Sequence, residues 1–141
     1  MCLEISTIHH PDLKPLTAEK DIEVVKFLKP ELHEFSMPKY DTCEIMAMTE
    51  FSLRTPYMSY PVEFDENDEC VMEHYMSTFD GLWVVEGIHA YTEIMWWYQR
   101  QKDLLLTCTP FKAYIPKGTK YYFGTNGDIV AEKIIIKNTK Y

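Results

Sequence analysis

The chain has 141 residues, 46% of them hydrophobic and 14% aromatic, and a net charge of −8. That length and apolar content suit one domain with its own core and exclude a disordered chain. No apolar run approaches the ~20 residues of a membrane-spanning helix, and the acidic balance argues against a nucleic-acid polymer as partner, which needs many cations on phosphates.

The charge is uneven. Residues 112–141 hold six lysines against Asp128 and Glu132, a surplus of four positive charges, while the first 111 residues hold eight basic and twenty acidic groups, a surplus of twelve negative ones. Met1-Cys2-Leu3-Glu4-Ile5 offers no basic stretch followed by an apolar block, so a cytoplasmic protein is expected. Cys2, Cys43, Cys70 and Cys108 are widely and irregularly spaced, as free thiols are, and form neither a zinc knuckle nor a redox pair.

In chain order, residues 1–20 read as an N-terminal arm of the single domain 1–141, punctuated by His9-His10-Pro11 and Pro15, with Thr17 capping one helical turn. Asp21 to Leu28 alternates as a first strand, which Pro30 should stop. Residues 30–42 are a loop, and the period of two through Thr49, Phe51 and Leu53 predicts a strand over 44–53. Two prolines keep residues 54–62 irregular. The acidic run from Glu63 to Cys70 lacks the sharp-turn glycine of a calcium loop and reads as solvated charge.

Asp80-Gly81 is a turn, and Leu82 to His89 reads as one buried strand. Thr92 is a candidate N-cap, and Ile94, Trp97, Tyr98 and Gln101 at helical spacing predict a helix near 92–102. Leu104-Leu105-Leu106 starts another strand. Pro116-Lys117-Gly118 is a turn, and Asn126-Gly127 should form the two-residue tip of a terminal hairpin, both residues at positive φ. The pattern predicts an α+β domain: a mostly antiparallel, curved sheet with one main helix near 92–102 and long N-terminal loops.

Candidate binding groups fall in three places. Arg54, Tyr57 and Tyr60 offer a guanidinium and two flat rings. Alternation puts His89 and Tyr91 on one face of an extended segment. Lys117 and Lys120 flank a turn in the basic segment. Together they suit a small anionic, nucleotide-like ligand. Trp96 and Trp97 point to different sides of one short helix, which predicts an interface and self-association as a homodimer. The five histidines have no chelating spacing, so no metal and no cofactor is expected. There is no nucleophile elbow.

Gly87-Ile88-His89-Ala90-Tyr91, then Ile115-Pro116-Lys117-Gly118-Thr119 with Tyr121-Tyr122 and Gly124, then Ile134-Ile135-Ile136, is a pattern that resembles small uncharacterised proteins of gut bacteria and their phages. The likeness covers about half the chain, mostly its end. Its motifs are structural and imply no activity. It implies a phage or mobile-element accessory protein, of a kind that binds host factors or nucleotide signals. The expected function is therefore a noncatalytic binding module for an anionic ligand or a host protein. The alternative is a small enzyme using a nicotinamide-type cofactor, with His89, Tyr91 and Glu132 as its polar set.

Overall fold

The computed structural model describes residues 3–33, 50–54, 61–92 and 109–140. Regular structure there is entirely β: β1 (Leu3–Glu4), β2 (Leu16–Thr17), β3 (Ile22–His33), β4 (Glu50–Arg54), β5 (Pro61–Val62), β6 (Glu69–Glu73), β7 (Ser77–Phe79), β8 (Trp83–Glu86), β9 (Ile88–Tyr91), β10 (Thr109–Ile115), β11 (Lys120–Phe123), β12 (Asp128–Ala131) and β13 (Lys133–Lys140). This corrects the expected α+β class to an all-β one. The helix expected near 92–102 falls, past Thr92, outside the described residues. Thr92 instead follows the end of β9, its hydroxyl donating to the Gly127 carbonyl at 2.9 Å. No helix among the described residues is long and apolar enough to cross a membrane.

The strands form two antiparallel sheets. The larger runs β2-β11-β12-β9-β3-β10-β13-β6, with β4 paired to β3 and β5 to β4; the smaller runs β1-β8-β7. The large sheet turns a corner at Glu132. Ile129 and Ala131 of β12 share one core cluster with Ile134 and Ile136 of β13. Those positions differ in parity, so one extra residue lets both halves face the same side, as a bulge does. β12 pairs with β9 and β11, while β13 pairs with β10 and β6. The sheet thereby folds over its own concave face. Ile134 and Ile136 are fully buried there, each worth about 1.5–3 kcal/mol.

The opposite face carries Tyr122 and Val130, which pack with Leu3 and Val84 of the small sheet and with Ile5, the residue after β1. Gly87 joins the layers. Residues 82–89 were expected as one strand. Instead β8 belongs to the small sheet and β9 to the large one, with Gly87 between them at φ 129°.

Other expectations shift for local reasons. Leu16–Thr17 pairs with Tyr121–Lys120 instead of capping a helical turn. β3 runs through Pro30 because Pro30 pairs with Leu53 of β4 beyond the end of the β10 ladder at Leu28; there a missing N–H is tolerated. The acidic run is an exposed turn in which Asp65 Oδ1 accepts from the Asn67 and Glu69 amides at 2.8 and 3.1 Å. Residues 44–49, 55–60 and 93–108 lie outside the described residues.

The terminal hairpin forms with Asn126 and Gly127 at its tip. Gly124 N–H donates to the Asp128 carbonyl at 2.9 Å, and only Gly127, at φ 77°, is left-handed. The connection is thus the three-residue kind closed by a left-handed glycine, not the expected two-residue turn. Gly127→Val is expected to lower stability by roughly 1 kcal/mol or more, because a β-branched residue resists positive φ. Urea unfolding would check this, and an unchanged midpoint would refute it.

Candidate functional site

The described residues bring chemistry-bearing side chains together in two places, one sealed and one open. The sealed one centres on β9. Antiparallel register sets Tyr91 opposite Asp128 and His89 opposite Val130. With a side-chain period of two, His89, Tyr91 and Asp128 share one face. The His89 and Tyr91 rings meet edge to face at 4.9 Å, as their alternation predicted. His89 Nε2 lies 3.3 Å from Asp128 Oδ2, and these side chains are 13% and 11% exposed.

Lys26 completes the cluster. β3 and β9 share one registered pair, Val25 with Tyr91. Beside it, the Lys26 ammonium donates to the His89 carbonyl. Lys26 is buried, which its hydrogen bonding makes tolerable. Asp128 Oδ1 is buried with no hydrogen-bond partner among the described residues. It lies against Gly124, where a Cβ would collide with it and with Leu3. Burial pushes the His89 imidazole below its ordinary pKa, while the Asp128 hydrogen bond pulls the other way. The ring is therefore neutral at pH 7. The polar set suggested for an enzyme is corrected in one member: Asp128, not Glu132, meets His89. Glu132 instead lines a shallow cavity of about 570 Å³ with Glu73, His74, Tyr75, Thr119 and Lys133.

The open place is a groove of about 650 Å³ over β3, β10 and β13, lined by Asp21, Glu23, Lys112, Tyr114 and Lys137 above the backbone at Val24 and Ala113. Glu23 is opposite Tyr114 and Lys112 opposite Val25. The Tyr114 hydroxyl donates to Glu69 at 3.1 Å, and the Lys137 ammonium lies 5.2 Å from the centre of its ring. Burial first, then the Glu69 hydrogen bond, raise the Tyr114 pKa, so the phenol stays a donor at pH 7. Asp21 also accepts the Lys117 amide at 2.9 Å, which fastens the β10–β11 turn to the groove's end.

The residues singled out from the sequence do not gather at one point. Arg54 is paired with Lys29, at one end of the β3 pairing, and Lys117 is bonded to Asp21, at the other. The eight residue steps from Asp21 to Lys29 span about 26 Å of extended chain. Lys120 pairs with Thr17 on β11, two strands from β9. Tyr57, Tyr60, Trp96 and Trp97 lie outside the described residues. Sequence reasoning passed over Lys112, Tyr114 and Lys137. Their signal was only alternation along β10 and β13, which marks a solvent face without naming a site. Among the described residues no group of three or more His, Cys, Asp or Glu side chains is placed to hold a metal ion, and Cys70 is a free thiol.

Comparison with protein families, with curated proteins and with solved structures finds no match to this chain.

Proposed function

We propose that the protein is a noncatalytic binding module that holds a segment of a partner protein in the groove over β3, β10 and β13. The observation that carries this reading is the mixed charge of that groove. Asp21 and Glu23 lie at the β3 side, Lys112 and the Tyr114 phenol along the central strand β10, and Lys137 on β13. A small polyanion would meet the carboxylates of Asp21 and Glu23 there. A polypeptide offers both signs of charge along with backbone donors and acceptors, and could complement both the carboxylates and the ammonium groups of the groove. The volume lies in the range of sites that hold compact ligands or a few side chains.

The sealed histidine supports the same reading. A general base must reach the proton it takes, whereas His89 and Asp128 are mostly buried beside Val130, which packs under the small sheet. The resemblance to phage-associated accessory proteins favours a host protein as the partner.

The test is selection of short random peptides on the wild-type protein and on the double variant Lys112→Glu, Lys137→Glu, beside a thermal-shift panel of nucleotides. Peptides carrying both acidic and basic residues should be enriched on the wild type and lose about tenfold or more in affinity on the variant. Stabilisation by nucleotides without peptide enrichment would overturn the reading in favour of a small anionic ligand.

A further inference from the structure

The N-terminal arm is held by one histidine in an unusual way. His10 is fully buried although it sits in a polar, proline-punctuated segment. Its Nδ1 lies 2.9 Å from the Lys14 carbonyl, and its Nε2 lies 2.8 Å from the Phe123 amide nitrogen. A carbonyl only accepts, so Nδ1 carries the hydrogen. A backbone N–H only donates, so Nε2 keeps its lone pair. One neutral tautomer satisfies both, and the imidazolium, a donor at both nitrogens, satisfies only one.

The partners of His10 lie along the outer edge of β11. Leu16 and Thr17 of β2 pair with Tyr121 and Lys120, the Ser6 amide donates to the Phe123 carbonyl at 2.9 Å, and His10 takes the Phe123 amide. The Tyr122 hydroxyl reaches back to the Leu13 carbonyl at 3.2 Å. The arm therefore closes an edge that would otherwise display unpaired backbone groups.

We propose that His10 is a proton-operated latch that fastens residues 6–15 over the outer edge of β11 and releases them when it gains a second proton. A proton on Nε2 would point at the Phe123 N–H, so the bond is lost and two donors confront each other without water. The charged and titratable groups facing the ring are His9 and Asp12 from the arm and the Tyr122 phenol from β11, beside the Phe123 backbone. Asp12 favours the charged ring and His9 opposes it. Burial dominates both and lowers the His10 pKa. Tyr122, its own pKa raised by burial, stays neutral. Release would free the Phe123 amide and carbonyl while leaving the concave core intact.

The experiment is amide hydrogen exchange on the full chain from about pH 7.5 to about pH 5, corrected for intrinsic rates, on the wild type and on His10→Gln. Glutamine keeps an acceptor within reach of the Phe123 amide and does not titrate. In the wild type, protection at Phe123 and across residues 6–15 should fall about tenfold per pH unit below about 6.5, down to the folded-state pKa, while Ile134 and Ile136 stay protected. In His10→Gln the arm should show no such acid response. Protection that does not change with pH, an acid response that persists in the variant, or loss of arm and core together would each overturn the latch. If His10→Gln does not fold, the wild-type His10 ring signals decide. A ring that protonates while the Phe123 amide stays protected overturns the proposal, and the two changing together supports it.

Discussion

Replacing Gly87 by valine is expected to cost roughly 3–5 kcal/mol, a large share of the stability of a domain this size. Two penalties coincide at this residue. Its φ of 129° is a conformation that side chains with a Cβ rarely adopt. A Cβ there would also lie 2.5 Å from Val130 Cγ1 and 3.0 Å from Met76 Cγ. Val130, buried between the two sheets, has no room to retreat, and Met76, partly buried, packs against the same cluster. Gly118→Val separates the two effects. Gly118 has φ 89° but nothing within 4 Å of the added carbon, so it carries the backbone strain alone, on the order of 1–3 kcal/mol. Denaturant unfolding of both variants checks the argument. Equal losses at the two glycines would show that the close approach to Val130 contributes nothing.

Gly87 also marks where sequence reading stops. Leu82 to His89 is an apolar run with one glycine in it, and nothing local distinguishes a kinked strand from two strands in different sheets. The break is imposed by Val130, which is 43 positions away in the chain. The short-range features were legible. The Asn126-Gly127 tip, the Asp80-Gly81 turn and the start of β3 each follow from turn chemistry or alternation within a few residues. Pro30 misled because a proline forbids a ladder only on the side where its N–H is needed. The predicted helix rested on helical spacing and on Thr92 as a candidate N-cap, and the class inferred from it was wrong for the described residues.

The sites divide in the same way. That His89 and Tyr91 share a face follows from a period of two. That Asp128, and not Glu132, reaches His89 follows from the register of β9 on β12, which no local pattern reveals. The grouping of Arg54 with Lys117 failed because the length of β3 keeps them apart. His10 was invisible for a related reason. Its burial depends on a backbone amide 113 positions away, and a histidine beside Pro11 reads as an exposed turn residue.

Global stability should be nearly constant above about pH 6.5 and fall steeply below it. His10 and His89 both have folded-state pKa values below the ordinary one, chiefly through burial. For such a group the unfolded chain binds the proton first. Between the unfolded value of about 6.5 and the lower folded value, the unfolded state therefore holds more protons, and stability rises with pH across that window. Above 6.5 neither state is protonated and the contribution is complete. As pH falls toward the folded value it is progressively lost, at up to about 1.4 kcal/mol per pH unit for each histidine, or about 2.7 for the two together. Carboxylates titrate mostly lower, near pH 4, so the window just below 6.5 isolates the histidines. Denaturant midpoints measured from about pH 7.5 to about pH 5 give the slope. His10→Gln should remove one proton's worth and leave the His89 half, because His89 sits in the layer that opens only when the two sheets part. A wild-type slope near zero across the window would mean that neither ring is held neutral by the fold. A slope unchanged in His10→Gln would place the whole effect at His89, beside Asp128.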